Sequence, residues 1–324
     1  MINIFYEPNY TKRKKTLFTL KFKQSIFLNK LIDFAYLFNL TIPDRYITNG
    51  PHKRMNNLIK SFKGKNNIVF NKFNYSNSYI VQFDWFGESV LNKLINEATE
   101  QKQVLIGPLY TDEQLINLSN YVKKHDYIKI VVASKFAYNK ISQSNKFDIN
   151  KKKLVIIPSG IISESKLKKH LIKKRNQKCL VYFKNRSQQE LDKLLNLLDR
   201  KNISYDLFEY GMYDNQKLIK AAKKNKFGIL LDGSESQGFA IQEIMACNLP
   251  LLVWNLEQKH EASSVPYFDN NCGEIVNSYE QLVSNIDKFL SKINLYNPHI
   301  LIKEKLTYEK FFYNIMSEFK INKK

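Results

Sequence analysis

Short apolar runs recur along this chain, and between them apolar residues return every three or four positions. The runs in the first half are NNIVFNKF, SYIVQFDWF, VLIGPL, YIKIVVAS and KLVIIPSG; in the second half they are CLVYFKNRS, SYDLFEYG, FGILLDGS and LPLLVW. Runs that are apolar at consecutive positions predict strands covered on both faces. Met55, Leu58, Ile59 and Phe62 repeat at helical spacing, as do Leu115, Leu118 and Tyr121. ELDKLLNLLDRKN, NQKLIKAAKKN and the stretch beginning near Phe239 predict further helices. From Glu280 to Lys320 the pattern is helical, interrupted at Pro298. Before residue 45, KKTLFTLKF reads as a strand and FLNKLIDFAYLF as a helix.

Strands alternating with helices predict an α/β fold with mainly parallel sheets and helices on both faces. The charged stretch ISESKLKKHLIKKRNQK reads as a surface connection between two such domains. The expected organisation is residues 1–160, a linker at 161–178, and residues 179–324, with the last helix packing back on the first domain. A length of 324 residues agrees with about two domains. No repeat of solenoid period is visible.

Composition changes this picture little. The chain is 44% hydrophobic and 13% aromatic, ample for real cores, and its formal charge is +21. Such a charge favours an anionic partner, whether phosphorylated substrate, membrane surface or nucleic acid. It is equally what a Lys- and Asn-rich composition produces. Cys179, Cys247 and Cys272 form no close pair, which suggests neither a disulfide framework nor a zinc site. MINIFYEPNYTKRKKTLF lacks the pattern of a secretory signal, and no apolar run reaches the ~20 residues of a membrane span. The expectation is a cytoplasmic protein, with peripheral membrane contact left open.

The candidate chemistry lies in LLDGSESQGFAIQEIMACNLPLLVW, residues 230–254. An apolar strand enters a loop containing Gly238, and a helix follows. The first N–H groups of a helix lack internal partners and carry partial positive charge, so this is an anion-binding arrangement. In open α/β sheets, ligands bind at the carboxyl ends of the strands. Glu235 and Glu243 stand eight residues apart, about 12 Å along a helix axis, too far to act on one atom. They suit the two ends of an extended ligand, such as a nucleotide sugar with hydroxyls at both ends and a diphosphate between.

The run from Glu235 to Glu243, followed by Met245-Ala246 and Leu249-Pro250, resembles the E-x7-E signature of group 1 (GT4-like) glycosyltransferases of the GT-B fold. Gln237 stands where that signature has an aromatic, Ile244 where it has Ala, and Asn248 where it has Gly. KKKLVIIPSGI resembles the segment that ends the family's first domain. LVYFKNRS resembles the strand that opens the second. Asn-Gly-Pro-His at 49–52, just before a helix, resembles the glycine-containing loop of the first domain. The family's usual first-domain His is absent after SYIVQFDWF, where Asp84 stands.

The resemblance implies GT-B architecture: two Rossmann-like domains with an interdomain cleft and a C-terminal helix. It implies hexosyl transfer from a nucleotide sugar to a hydroxyl of a glycan, a lipid-linked sugar or a protein, with retention and without metal or other cofactor. Glu243 would hold the ribose and Glu235 the sugar hydroxyls. The amides of Gly238, Phe239 and Ala240 would meet the sugar and diphosphate. Lys184 and Arg186 would neutralise the leaving phosphates. His52 is a further candidate, for the acceptor or the diphosphate. Tyr210 and Gly211 are candidates for stacking on the base. Two other readings stand beside this one. A basic nucleic-acid-binding protein would leave both glutamates without a role. An inactive fold kept for sugar binding or scaffolding would explain the absent His.

Overall fold

The computed structural model describes residues 2–5, 50–66, 68–70, 78–81, 96, 98–99, 102–108, 112–170, 175–256 and 264–319. The strand and helix expected before residue 45, and Asp84, lie outside the described residues. The chain divides into two compact units. One is Met1–Ser159 with Phe311–Lys324, and the other is Gly160–Lys310.

The first unit carries a parallel sheet of six described strands: β1 (Ile2–Phe5), β2 (Ile68–Phe70), β3 (Ser78–Val81), β4 (Gln103–Ile106), β5 (Ile128–Val132) and β6 (Leu154–Ile156). Their order is β2-β1-β3-β4-β5-β6. The central strands are apolar on both faces because both are covered. Val104 and Ile106 of β4 join a core with α2 (Asp112–Lys124), while Leu105 joins the core on the opposite face. That second core holds Met55, Leu58, Ile59 and Phe62 of α1 (Gly50–Phe62), all almost fully buried. Gly50 and Pro51 are the first residues of α1 rather than a turn ahead of it. Proline is tolerated there because a first-turn N–H has no intrahelical acceptor to lose. Ser134 caps α3 (Lys135–Ser142) by accepting from the Ala137 amide.

The second unit carries a parallel sheet of β7 (Cys179–Lys184), β8 (Tyr205–Glu209), β9 (Phe227–Asp232), β10 (Leu251–Trp254) and β11 (Gly273–Val276), in the order β11-β10-β9-β7-β8. Side chains alternate between two cores. Phe227, Ile229 and Leu231 of β9 meet α5 (Gln188–Arg200) and α8 (Tyr279–Ser291). Leu230 meets α6 (Asn215–Lys224) and α7 (Phe239–Ala246) on the other side.

Two features depart from the sequence reading. Gly273, outside every apolar run noted above, opens β11. It is positive in φ (139°), and a Cβ there would come within 1.9 Å of the Leu251 carbonyl oxygen. Only glycine fits. The stretch at 161–178 is not a free-standing connection. Ile161, Ile162 and Leu167 enter the core of the second unit, the last within the short helix α4 (Glu164–Leu167). Ile162 also bridges Thr307 in parallel fashion. In the same stretch Arg175 donates to the carbonyls of Ala222, Asn225, Cys247 and Asn248, which satisfies acceptors left open where α6 and α7 end. Pro298 divides the C-terminal helical pattern as the sequence indicates, with α9 (His299–Lys305) and α10 (Tyr308–Glu318) after it. Phe311, Ile315 and Phe319 lie in the core of the first unit with Ile2 and Ile4.

Candidate functional site

In the second sheet, the first strand (β7) lies between the second (β8) and the third (β9). Connections leave β7 and β9 toward opposite faces of the sheet, so a crevice opens at the carboxyl ends of these two strands. Their last residues, Lys184 and Asp232, are register partners. The Gly233 amide, just beyond β9, donates to the Lys184 carbonyl at 3.1 Å and to Asp232 Oδ1 at 2.6 Å. The backbone thus fixes both side chains at the mouth of the crevice.

Lys184 Nζ forms an ion pair with Glu235, and it sits 4.4 Å from the centroid of the Tyr210 ring. The side chains of Lys184 and Glu235 are 14% and 15% exposed, close enough to the surface for a ligand to reach. Burial works to discharge Lys184, but the charge of Glu235, joined by that of Asp232 at the alkaline pH where Asp232 ionises, outweighs it and holds the ammonium's pKa above its usual value. Tyr210 follows β8, with its amide bonded to the Phe183 carbonyl and Gly211 (φ 84°) turning the chain after it. Its ring lies against the ammonium.

Asp232 is the site residue that the motif does not contain. It is fully buried; Oδ1 accepts from Gly233, and Oδ2 has no partner among the described residues. Burial first, and the Glu235 charge second, push its pKa up to about 8. Asp232 is therefore mainly a neutral acid at pH 7. A charged residue closing the apolar run FGILL was the available signal.

Arg186 does not join this group. Its side chain is 2% exposed, with Nε and Nη2 on Glu190 and Nη1 on the carbonyls of Asp232 and Trp254, while the Trp254 ring lies 5.4 Å away. Its guanidinium ties the β7–α5 turn to the ends of β9 and β10.

Gly238 is the N-cap of α7, at φ 77° and ψ 58°, and no side chain caps that end. A Cβ on Gly238 would touch Ile241 and Glu235 only at ordinary distances, 3.5 Å and beyond, so the left-handed backbone is what calls for glycine. Phe239 and Ala240 form the first turn of α7, and Glu243 lies on the same helix. Gln237, standing where the signature has an aromatic, is 2% exposed. Its Nε2 donates to Gln242 Oε1 at 3.1 Å, and Gln242 Nε2 donates to the Gln237 carbonyl at 2.6 Å. This reciprocal amide pair locks the loop to the helix. Asn248, in place of the signature's glycine, adopts φ 58°, as the residue after a helix C-cap commonly does. His52 lies in the first turn of α1, in the first unit, and its side chain is not among those described. Among the described residues no group of His, Cys, Asp and Glu could hold a metal ion, and no helix is long and apolar enough to cross a membrane.

No protein-family model matches the sequence, and neither does any curated protein. Solved structures do match in fold. The GtfA/B complex aligns with a TM-score of 0.50 at 10% identity, over 75% of this chain and 56% of that one. TarM aligns at 0.45 and 15% identity, over 75% and 54%. WaaG, a glycosyltransferase of lipopolysaccharide biosynthesis, aligns at 0.43 and 11%, over 88% and 98%. The chain thus spans little more than half the length of the first two. At such identities the likeness is one of architecture: this chain has the GT-B fold, built from two Rossmann-like α/β units with parallel sheets.

Proposed function

We propose that this chain is a glycosyltransferase that moves a hexosyl group from a nucleotide sugar to a hydroxyl of a glycan, a lipid-linked sugar or a protein, with retention and without a metal. The observation that carries the reading is the meeting of Lys184 and Glu235 at the carboxyl ends of β7 and β9, beside the Gly238 cap of α7. Lys184 is the cation for the donor diphosphate. As the sugar–phosphate bond breaks, its electron pair goes to the diphosphate, and a fixed ammonium nearby lowers the energy of that charge. Engaging the diphosphate would draw Lys184 away from Glu235 and release the carboxylate for the sugar hydroxyls. Glu243 holds the ribose, and the amides of Gly238, Phe239 and Ala240 complete the anion site. Tyr210 and Gly211 border the nucleotide. His52 serves the acceptor side. Arg186 takes no part in this scheme, because its donors hold the turn together.

Thermal unfolding with UDP, GDP, ADP and CMP and their sugars, with and without divalent metal, tests the reading. A ligand at ~100 times its dissociation constant stabilises the folded state by about 2.7 kcal/mol. One nucleotide should raise the melting temperature without metal, and Glu243→Ala should remove that rise. No shift with any of them, alongside salt-sensitive binding to DNA or RNA, would replace this reading with the nucleic-acid one.

A further inference from the structure

We propose that Asp232 is a positioning residue of the donor site, acting as an uncharged acid that keeps Lys184 available to a diphosphate. The proposal rests on the donor-site reading above. Asp232 and Lys184 are register partners on adjacent strands, and Glu235 is already bound to Lys184. One carboxylate beside the ammonium is an exchangeable partner. Two would bind it more firmly and would repel an incoming diphosphate. The fold meets this need by burying Asp232 completely and leaving Oδ2 without a partner among the described residues. An ionised carboxylate is poorly tolerated in that position, whereas a protonated one is accepted at much smaller cost.

The groups facing Asp232 agree with this. Glu235, from the β9–α7 loop, disfavours its charge, and Lys184 opposes that in part. Tyr182 of β7, Tyr210 after β8 and Tyr213 before α6 are all pushed up in pKa, burial being the main cause, so they stay neutral above pH 7. The guanidinium of Arg186 reaches only the Asp232 carbonyl. Lys184 stays charged through the same range. Within this set the resolved shifts bring Asp232, near 8, into the interval between pH 7 and 9.

The experiment is titration of the full chain with UDP, GDP and ADP by calorimetry from pH 6.5 to 9, on the wild type and on Asp232→Asn. The asparagine keeps the shape and the Oδ1 acceptor but carries no charge at any pH. If only the protonated form is competent, apparent affinity follows its population. For a group titrating near 8, that is a loss of about tenfold between pH 7 and 9. The nucleotide's own phosphates are already ionised there. The expected result is that loss in the wild type and a flat profile in Asp232→Asn. Equal pH profiles in the two proteins would overturn the role of Asp232 while leaving the donor site intact. Failure of the wild type to bind any of the three nucleotides at any pH would overturn the donor-site reading and this proposal with it.

Ligand-free stability gives an independent readout. A carboxyl whose pKa is raised on folding contributes stability that is present below its unfolded value of about 4 and is lost as pH rises toward about 8. The melting temperature of Asp232→Asn relative to wild type should therefore climb over that interval, and a constant difference would count against the proposal. Should Asp232→Asn not fold, the carbon-13 shift of the wild-type Asp232 carboxyl decides. Titration near pH 8 supports the proposal, and titration below pH 5 overturns it.

Discussion

Two helix starts at the carboxyl edge of the second sheet are built in opposite ways. The turn from β7 into α5 is sealed by protein. Ser187 and Glu190 form a reciprocal capping box, and Arg186 clasps Glu190 while bonding two strand-end carbonyls. The loop from β9 into α7 is longer, its cap is a left-handed Gly238 without a side chain, and the amides of Gln237 and Gln242 hold it in shape. Glu235 projects from this loop to a lysine that belongs to the other strand. Lys184 and Arg186 are two residues apart and carry the same charge, yet one serves the closed turn and the other the open loop. A helix N-terminus becomes a place for a ligand when the protein declines to finish it.

The largest effect that tests this division is expected at Arg186. Arg186→Ala removes a buried cation and leaves Glu190 and two carbonyls short of donors. Hydrogen bonds to charged groups contribute about 1.5–3 kcal/mol each, so a stability loss of about 3 kcal/mol is expected by denaturant unfolding. Nucleotide affinity of the protein that remains folded should stay within a factor of about three of wild type, since the ligand draws nothing from this guanidinium. A selective loss of affinity with unchanged stability would return Arg186 to the ligand.

Lys184→Ala should fall on affinity as well as on stability. It removes the charge aimed at the diphosphate, worth about 1.5–3 kcal/mol, or roughly ten- to a hundredfold in nucleotide affinity. The counterpart effect on stability is about 1–3 kcal/mol, the cost of leaving the Glu235 carboxylate, only 15% exposed, without its charged partner. Calorimetry beside thermal unfolding separates the two quantities. If Arg186→Ala and Lys184→Ala lose stability and affinity in the same proportion, the division between closed turn and open loop fails.

This contrast also marks where the sequence stops being informative. The strands were legible because burial on both faces writes itself as an unbroken apolar run, as in CLVYF and FGILL. Glu235 in the loop, Gly238 at the cap and Glu243 on the helix were placed by their spacing. Lys184 and Arg186 were not separable by type or position. What separates them is Asn185 at φ 53°, which turns the chain between them, and the Glu190 carboxylate waiting on α5. The Ser187-x-x-Glu190 capping box was readable, and with it a partner for Arg186 at i+4. Asp232 was visible only as a charge at the end of an apolar strand; its burial against Glu235 depends on contacts between elements distant in sequence. β11 escaped because Gly-Glu-Ile-Val is four residues long, opens on glycine and has a partly exposed middle.

The smallest expected effect compares the two caps directly. Gly238→Ala places a side chain on a left-handed backbone, at a cost of about 1–2 kcal/mol, with no added clash because the new Cβ has ordinary neighbours. Ser187→Ala removes the hydroxyl of the capping box, at a cost of about 1 kcal/mol. Thermal unfolding should therefore show similar losses in the two variants. Nucleotide affinity should diverge. Gly238→Ala shifts the loop that carries Glu235 and the first amides of α7, and affinity falls with it. Ser187→Ala disturbs a helix end already filled by protein, and affinity holds. Gly238→Asn should recover part of both losses, since asparagine enters the left-handed region more readily than alanine. Equal affinities in Gly238→Ala and Ser187→Ala would mean that the α7 start is one more helix cap, and that the ligand, if it comes to this edge, is held by Lys184 and the glutamates alone.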